Sequence, residues 1–179
     1  MFCYVQIVNK LNGVLQYDHN VIRYTVTRDQ DHSIMMEFYS DYWIINKTPD
    51  LLMIGNGQDH TQSLVPVDPH PIQYDLSSDT PFQESYSPMM FSTIGSLLLK
   101  SRKRELIICS PQYGMSKPFA ADIADYDGMV ELKTRQGVSQ TYSVSISFAP
   151  GNFEHTKVIT ISPMYLMINN TDVPFYVIF

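Results

Sequence analysis

Two asparagines in Asn-x-Thr sequences, Asn46 and Asn169, carry the most specific chemical signal in this 179-residue chain. The triplet is the acceptor sequence for N-linked glycosylation. Each asparagine also ends a run of apolar residues, which favours a half-buried position at the end of a strand. At such a position a carboxamide can satisfy backbone groups that a sheet ladder leaves open. We interpret both as structural asparagines at a junction; the alternative is that they also hold a groove for a peptide.

An acidic cluster at Asp122, Asp125 and Asp127 has oxygen atoms of the kind that bind calcium. Its spacing is not that of an EF-hand loop, and the Asp-Gly pair that ends at Gly128 is typical of a tight turn. We therefore expect a turn here, followed by a strand over residues 129–134, and no metal site. A hydrolase that uses these carboxylates is a weaker hypothesis, because a second catalytic group is missing from the sequence.

Motifs of catalysis are absent from the rest of the sequence. The chain has no Gly-x-Ser-x-Gly elbow, no phosphate-binding glycine loop and no His-Glu-x-x-His sequence. The two cysteines, Cys3 and Cys109, lack Cys or His neighbours at metal-ligand spacing and indicate a reducing compartment. The five histidines lie mainly in polar, turn-like contexts: His19, His32, His60, His70 and His155. We expect a protein that is not an enzyme and has no cofactor.

The charge balance opposes a role in nucleic-acid binding. The net charge is −6 and the pI is about 5.2, whereas nucleic-acid-binding domains usually present a basic face. The basic run at residues 100–104 is interpreted as a solvated loop or strand edge, with contact to anionic lipid headgroups as the alternative. No apolar run approaches the roughly 18 residues of a membrane helix, and no secretory signal is visible. The sequence predicts a soluble cytosolic protein.

Short strands separated by turn signals dominate the sequence pattern. Residues 22–27 and 142–148 alternate between apolar and polar types, which predicts strands with a buried apolar face and a solvated polar face. A hairpin turn is predicted at Asn12-Gly13. Several prolines mark residues 58–86 as a long surface loop, and residues 119–124 have some helical character without a predicted helix. Further strands are predicted over residues 2–8, 14–17, 33–38, 51–54, 89–91, 97–100, 105–109 and 157–161.

The stretch from Asp41 to Thr48 has a second copy that begins at Met164. The two copies share an aromatic residue, Tyr42 or Tyr165, then an apolar run and Asn-x-Thr. A recurring pattern of this kind indicates a repeated structural module. The two asparagines are therefore predicted to occupy equivalent positions at successive module junctions.

These observations predict an all-β fold of antiparallel β-sandwich modules in a repeat array, with little or no helix. We place the end of a preceding β module at residues 1–40 and one complete β-sandwich module at residues 41–163. The start of the next module is placed at residues 164–179. Because repeat modules bury their faces against neighbours, a chain that begins and ends within modules is expected to be part of a longer protein.

Three runs of residues, 42–48, 87–92 and 161–171, occur in an order and spacing that resemble the adaptor-binding domain of the vacuolar protein sorting thirteen family. These proteins are intermembrane lipid transfer proteins, and the resemblance extends over residues 36–179. It implies an array of all-β modules with a recurrent asparagine, to which Asn46 and Asn169 align. It also implies recruitment of organelle-specific adaptors through Pro-x-Pro-type motifs. Pro49 departs from the family pattern, in which many relatives have a glycine after Asn-Lys-Thr.

The resulting prediction is a non-enzymatic interaction module that binds proline-rich adaptor peptides. The resemblance implies a cytoplasmic protein that is peripheral at organelle membranes or contact sites, with indirect membrane association, no nucleic acid and no metal. An extracellular or lumenal β-sandwich for adhesion or carbohydrate binding is the alternative, since two sequons would allow it. The candidate residues for partner binding or for the module junction are Asn46, Asn169, Trp43, Tyr42 and Tyr165.

Overall fold

Strands account for all of the regular structure that can be described. The computed structural model describes residues 10–17, 20–28, 33–57, 64–70, 88–92, 104–134, 136–151, 153–166 and 173. No helix occurs in these ranges, and the all-β prediction is confirmed. The strands are β1 (Lys10–Tyr17), β2 (Asn20–Arg28), β3 (Ile34–Tyr39), β4 (Tyr42–Asn46), β5 (Leu52–Asn56), β6 (Val65–Val67), β7 (Met89–Phe91), β8 (Glu105–Ser110), β9 (Gly114–Ser116), β10 (Phe119–Ala120), β11 (Tyr126–Lys133), β12 (Ser139–Phe148) and β13 (Lys157–Pro163).

The strands form two sheets. The first is a three-stranded antiparallel sheet in the order β1-β2-β3. The second has ten strands in the order β6-β5-β8-β9-β11-β12-β13-β4-β7, and β10 pairs with β8 beside this path. Its neighbours are antiparallel except for β4 and β13, which pair in parallel, so the large sheet is mixed. A bridge between Asn46 and Pro69 brings the chain after β6 against the end of β4, and the sheet is therefore nearly closed on itself.

The core lies on the concave side of the large sheet. In β12 the inward residues are Tyr142, Val144 and Ile146, as the alternation predicts, whereas Phe148 at the end of the strand, predicted on the same buried face, is 58% exposed. Full burial of a large apolar side chain contributes about 1.5–3 kcal/mol, so the interior supplies the main stabilisation of the sheet. Other buried members of this core are Tyr42, Ile44, Leu52, Ile54, Val67, Phe91, Leu106, Ile108, Ala121, Val130, Leu132, Ile159 and Ile161.

The alternation in β2 has the opposite sense to the one predicted. Arg23 is 7% exposed and Thr25 is buried, whereas Ile22 is 38% exposed. The reason is an ion pair, because buried charges require a partner. Arg23 donates from Nε to Oδ1 of Asp41 at 2.5 Å and from its terminal nitrogen to Oδ2 at 2.7 Å. Arg104 also donates to Asp41 Oδ1, at 3.2 Å.

This ion cluster connects the two sheets. Arg23 belongs to the three-stranded sheet, while Asp41 directly precedes the first strand of the large sheet. The Asp41 backbone N–H donates to Ser92 Oγ at 2.9 Å, and its carbonyl accepts from the Lys157 N–H at 3.1 Å. The carboxylate and its backbone are thus held from several directions at the point where the sheets meet.

The predicted hairpin turn at Asn12-Gly13 is wrong. Both residues lie inside β1, which runs without interruption from Lys10 to Tyr17 and pairs with β2 along its whole length. Asn12 is opposite Thr25, whose hydroxyl donates to the Asn12 side-chain oxygen at 3.0 Å. A cross-strand hydrogen bond therefore uses the asparagine that the sequence pattern assigned to a turn.

The predicted turn at Asp127-Gly128 is also wrong, because β11 begins at Tyr126 and includes both residues. The bend comes earlier, and Asp125 has a positive φ of 57°. Gly128 is accommodated in the strand by its neighbour: a Cβ at this position would lie 2.1 Å from the Tyr126 hydroxyl oxygen. The tyrosine side chain thus covers the surface that the glycine leaves open.

Several predictions fall on other parts of the chain. The strands predicted over residues 2–8 and 97–100 lie outside the described residues, as does most of the predicted loop over residues 58–86. Within that loop, residues 64–70 are described and contain β6. The described ranges contain no helix with the length and apolarity that a membrane crossing requires.

Candidate binding site

Asn46 occupies the position where the large sheet closes. It is the last residue of β4, and its backbone carbonyl accepts a hydrogen bond from the His70 N–H at 2.7 Å. The next residue, Lys47, donates its N–H to the Ile161 carbonyl of β13 at 2.7 Å. The end of β4 is therefore held between the chain that follows β6 on one side and β13 on the other.

The Asn46 side chain is fully buried, with 0% exposure, and all of its hydrogen-bonding capacity is used internally. The Nδ2 group donates to the Asp50 carbonyl at 2.8 Å and to the Val67 carbonyl at 3.3 Å. Its Oδ1 atom accepts from the Thr48 N–H at 3.0 Å and from the Thr48 hydroxyl at 2.7 Å. A carboxamide has two donors and one two-lone-pair acceptor, so this one has no capacity left for a ligand.

The same hydrogen bonds give the loop after β4 a fixed shape. Thr48 is fully buried, and its hydroxyl oxygen accepts from the Asp50 N–H at 3.2 Å. Side-chain oxygens that accept from a backbone N–H two residues later are typical of Asx and ST turns. Pro49 lies exposed at the apex. Asn46 and Thr48 thus hold residues 47–50 as a rigid wall.

An open cleft of about 360 Å³ lies against this wall. Its floor comes from β12 and β13, where Tyr142 is directly opposite Pro163. The far side is the segment after β13, in which Tyr165 is 81% exposed. The residues that line the cleft are Lys47, Thr48, Pro49, Asp50, Gln140, Tyr142, Pro163, Tyr165 and Leu166.

Asp50 and Tyr142 connect the wall of the cleft to its floor. The Tyr142 hydroxyl donates to Asp50 Oδ2 at 2.7 Å. Desolvation raises the pKa of Tyr142 well above its usual range, and the hydrogen bond to Asp50 and the negative charge of that carboxylate raise it further. The tyrosine therefore remains a neutral donor at physiological pH, and the bond fixes the wall over the floor.

The sequence-predicted residues are divided between the cleft and other parts of the sheet. Tyr165 lines the cleft, and Asn46 supports the wall of residues 47–50 through the hydrogen bond of its side chain to the Asp50 carbonyl. Tyr42 is instead fully buried in the core, and Trp43 lies on the outer face of β4, where its ring is 4.9 Å from that of Phe153. Asn169 lies outside the described residues.

Asp50, Tyr142, Pro163 and Leu166 are cleft residues that the sequence analysis missed. A usable signal existed for Asp50, because Asn-x-Thr-x-Asp places polar side chains at the spacing of consecutive side-chain-to-backbone turns. The others come together through the pairing of distant strands, which no local pattern reports.

The alternative chemistries gain no support from the geometry. Glycosylation of Asn46 requires an accessible carboxamide, and this one is buried. Asp122, Asp125 and Asp127 are exposed side chains around a bend and a strand start. Among the described residues, no group of three His, Cys, Asp or Glu side chains is arranged to hold a metal ion. Burial raises the pKa of the Cys109 thiol, which disfavours the reactive thiolate.

An all-β fold with an open cleft beside a rigid, hydrogen-bonded loop defines a binding module. Comparison with known protein families identifies its class: residues 15–178 match the family described as vacuolar-sorting associated protein 13, adaptor binding domain. This match includes nearly the whole chain, and the chain belongs to that family. The family resemblance read from the sequence is confirmed, and the family description is of a domain that binds adaptors.

Two curated relatives are intermembrane lipid transfer proteins. The chain is 22% identical to VPS13A of Mus musculus over 170 residues, which include 87% of this chain and 5% of the mouse protein. It is 51% identical to tipC of Dictyostelium discoideum over 42 residues, which include 22% of this chain and 1% of that protein. The chain thus spans a small part of the length of these relatives.

Tyr42 provides a test of the core that surrounds the site. Its hydroxyl is buried and makes no hydrogen bond of standard geometry among the described residues, although Arg104 lies close enough to lower the pKa through its charge and a weak hydrogen bond. Desolvation outweighs this and raises the pKa of Tyr42 to about 12. We expect Tyr42→Phe to be neutral or stabilising by up to about 1 kcal/mol at pH 7, since it removes an unsatisfied donor. Urea unfolding monitored by fluorescence measures this difference.

The same substitution has a defined pH dependence. Below the unfolded-state pKa of about 10, Tyr42 is neutral in both the folded and the unfolded chain. Above that pH the unfolded chain loses the phenolic proton first, so the stability of the folded chain falls as the pH rises toward the folded-state pKa. The advantage of Tyr42→Phe over the natural chain should therefore grow between about pH 10 and pH 12, by up to about 2–3 kcal/mol. A constant difference across that range would contradict the buried, neutral Tyr42.

Proposed function

We propose that the cleft between residues 47–50 and Tyr165 binds an extended, proline-rich peptide of an adaptor protein. The observation that carries this proposal is the complete internal hydrogen bonding of Asn46, which fixes one wall of an otherwise open cleft. A preformed wall lowers the entropic cost of binding. Membership in an adaptor-binding family supports a protein ligand for this surface.

The lining chemistry suits a polyproline II segment. Such segments are rigid before binding and dock on grooves lined by aromatic rings and prolines. Tyr165, Pro49 and Pro163 supply flat apolar surfaces on three sides of the cleft. With three residues per turn, the two prolines of a Pro-x-Pro peptide lie on two of the three faces of the extended helix, and the carbonyl groups of the peptide remain free to accept hydrogen bonds. Gln140 and Tyr165 are lining residues with side-chain donors suited to those carbonyls.

Asn46 acts in this proposal as a positioning residue. Its amide holds the Asp50 carbonyl and the Thr48 N–H, and these belong to the wall that meets the peptide. Tyr165 and Pro49 make the contacts. Asn169, Tyr42 and Trp43 are assigned to the module junctions and the sheet, which is a proposal for Asn169 by its sequence equivalence to Asn46.

At the level of the parent protein, we infer that this module recruits an intermembrane lipid transfer protein to organelle membranes or contact sites. The relatives are named for that transfer activity. The module itself associates with the membrane indirectly, through the adaptor that it binds, and works on the cytoplasmic side. Loss of adaptor binding should therefore release a fluorescent fusion of the module from organelles in cells that contain the adaptor.

Tyr165→Ala is expected to weaken binding of Pro-x-Pro peptides at least about tenfold, because a central aromatic anchor commonly contributes more than about 1.4 kcal/mol. Since Tyr165 is exposed, thermal stability should change by less than about 0.5 kcal/mol. Fluorescence polarisation with labelled peptides measures the affinity, and a thermal melt measures the fold.

Phe148→Ala is the matched control. Phe148 is also an exposed aromatic residue, and it lies at the end of β12 away from Gln140 and Tyr142. The control should retain the affinity of the natural chain. An equal loss of peptide affinity in both variants, or full affinity in Tyr165→Ala, would show that the peptide does not bind in this cleft.

A further inference from the structure

One face of the three-stranded sheet carries a continuous row of exposed apolar side chains. Residues directly opposite each other in an antiparallel pair share a face, and Tyr24 is opposite Phe38 while Val26 is opposite Met36. Met36 and Phe38 are each 52% exposed, and Tyr24 and Val26 are half-buried. The other exposed members of this face are Leu15 and Ile22. A contiguous apolar face of this kind indicates a surface that another element covers.

Strands β11, β12 and β13 repeat the arrangement of β1, β2 and β3. Both sets are antiparallel and occur in chain order, and a segment with Asn-x-Thr follows β3 in one case and β13 in the other. When the sets are aligned on that segment, Met36 matches Ile159 and Phe38 matches Ile161. The strand pairing extends the match to the middle strands, because opposite residues must then correspond. These further matches are Val26 with Ile146 and Tyr24 with Val144.

A glycine in the first strand of each set supports this alignment. Gly13 of β1 is opposite Tyr24, and Gly128 of β11 is opposite the matched residue Val144. At both glycines the sequence predicts a turn and the structure has a strand. Since glycine weakens a strand, its recurrence at one matched position favours a common structural unit.

The two sets differ in what covers their apolar faces. Val144, Ile159 and Ile161 are 0% exposed, because the rest of the large sheet closes over them. In addition β4 pairs in parallel with β13, with Ile44 opposite Ile159 and Asn46 opposite Ile161. Among the described residues, no strand pairs with the corresponding edge of β3. The three-stranded sheet therefore lacks both the parallel strand and the facing core of its counterpart.

We propose that the apolar face of β1–β3 and the free edge of β3 are covered by the rest of a preceding module of the same longer protein. The first strand of that module has the β4 pattern of an aromatic residue, an apolar run and Asn-x-Thr. It runs parallel to β3 with its asparagine opposite Phe38. The residue after this asparagine donates its N–H to the Phe38 carbonyl, in the way that Lys47 donates to the Ile161 carbonyl at 2.7 Å.

A module of the same kind suits this surface for two reasons. The inward residues from Tyr24 to Val26 and from Met36 to Phe38 on this face are uncharged, and repeat modules bury such faces against neighbouring strands of their own type. The mouse relative also has a long chain outside the matched region, since the 170 matched residues are 5% of its length. This surface is separate from the cleft beside Asn46, and the proposal does not depend on the function of that cleft.

The first test completes the module within one chain. The full chain is extended at its N-terminus by a second copy of residues 41–125, which supplies counterparts of β4–β10. Met35 and Met36 lie on opposite faces of β3 and are 63% and 52% exposed, so hydrogen peroxide should oxidise both in the natural chain. In the extended chain the oxidation of Met36 should slow at least about tenfold, while Met35 stays reactive, because burial removes access of peroxide. Mass spectrometry of peptides measures both rates.

Ile44→Asp in the added copy alone is the control for this test. The natural Ile44 is 1% exposed and lies opposite Ile159, so an aspartate in the added copy would lie beside Met36 and prevent docking of the strand. Oxidation of Met36 should then return to the rate of the natural chain. Equal oxidation of Met36 in the natural and extended chains, or protection that survives Ile44→Asp, would overturn the proposal.

A peptide tests the edge of β3 without an added module. The probe is acetyl-Asp-Tyr-Trp-Ile-Ile-Asn-Lys-Thr-amide, the sequence of β4 and its flanking residues. With an activated mixed disulfide on a cysteine in place of its asparagine, the probe should exchange with Phe38→Cys at least about tenfold faster than with Ile34→Cys, since a disulfide requires close Cα atoms. A probe with the cysteine in place of its tyrosine should show the reverse preference. The opposite pattern would show an antiparallel strand, and no preference would show that the strand has no register; either result contradicts the proposed pairing.

Sedimentation velocity distinguishes a preceding module from a second copy of this chain. The natural chain should sediment as a monomer, because its own module is already complete. A dimer that Met36→Glu dissociates and Met35→Glu retains would show that a second copy covers the face, and the proposed occupant would be wrong.

Discussion

Asp41→Ala is expected to lower the free energy of unfolding by about 3–5 kcal/mol, the cost of removing a carboxylate that compensates a buried charge. The Arg23 guanidinium donates twice to this carboxylate inside the protein. Burial by itself lowers the pKa of Arg23, but the hydrogen bond and charge of Asp41 outweigh it and leave the pKa raised. Without Asp41 the charge of Arg23 remains and the two hydrogen bonds to the carboxylate are lost.

The effect should extend beyond the ion pair, because Asp41 is where the two sheets meet. Arg23 comes from the three-stranded sheet and Arg104 from the residue before β8. A chemical denaturation curve of the natural chain and of Asp41→Ala measures the difference in stability. The rate of amide hydrogen exchange should increase most in β2, since the buried polar face of this strand depends on the contact with Asp41.

Glu131→Ala is the control, because it removes an exposed ion pair instead of a buried one. The Glu131–Lys133 pair is exposed, and pairs of that kind contribute about 0–1 kcal/mol. The double variant Arg23→Met/Asp41→Ala removes both charges of the buried pair and should recover most of the loss, because Arg104, the other partner of Asp41, has a side chain that is 37% exposed and can be hydrated. A cost for Asp41→Ala no greater than that for Glu131→Ala would contradict the assigned role of the cluster.

The same cluster shows what sequence patterns report and what they do not. Alternation predicted that residues 22–27 form a strand, and β2 is there. Alternation alone cannot assign the buried face when a charged residue has a distant partner, and Asp41 lies 18 positions from Arg23. In β12, where serines alternate with large apolar residues, no such partner competes, and the strand and its buried face were predicted correctly as far as Ile146, while Phe148 at the strand end is exposed.

The candidate site was predictable to a similar degree. Asn46 and Tyr165 were found because the motif in which they lie is local. The cleft itself depends on the pairing of Tyr142 with Pro163, and on the closure of the sheet at Asn46 and Pro69. Both contacts join distant parts of the chain, so no local sequence pattern indicates them. The turn predicted at Asn12-Gly13 failed for the same reason, because a cross-strand contact replaced a local preference.

Asn46→Ala is expected to lower the free energy of unfolding by about 3–5 kcal/mol, which is a large part of the 5–15 kcal/mol that stabilises a typical domain. The substitution removes the side-chain hydrogen bonds to the carbonyls of Asp50 and Val67 and the acceptor of the Thr48 N–H and hydroxyl, and the Asp50 carbonyl keeps only the long bond from the Thr48 hydroxyl, at 3.4 Å. Each unsatisfied buried group costs about 1–3 kcal/mol. Water that enters the opened loop hydrates part of these groups, so the expected total lies near the lower end of the summed costs.

Asn12→Ala is the matched control, because it removes an asparagine at a strand position that is exposed and has a single cross-strand hydrogen bond. It should cost less than about 1 kcal/mol. Thr48→Val tests the network from its other end: it retains the shape of the side chain and removes the hydroxyl that donates to Asn46 Oδ1 at 2.7 Å. It should cost about 1–3 kcal/mol. Chemical denaturation measures all three variants.

Stability and peptide affinity together distinguish a positioning asparagine from a contacting one. Because the Asn46 amide has no free donor or acceptor, folded Asn46→Ala should lose affinity for Pro-x-Pro peptides only as far as residues 47–50 lose their order. Thr48→Val should therefore weaken binding in proportion to its own loss of stability, while Tyr165→Ala weakens binding with the fold intact. If Asn46→Ala abolishes binding while hydrogen exchange in residues 47–50 is unchanged, the carboxamide contacts the peptide directly and the buried geometry must open when the ligand binds.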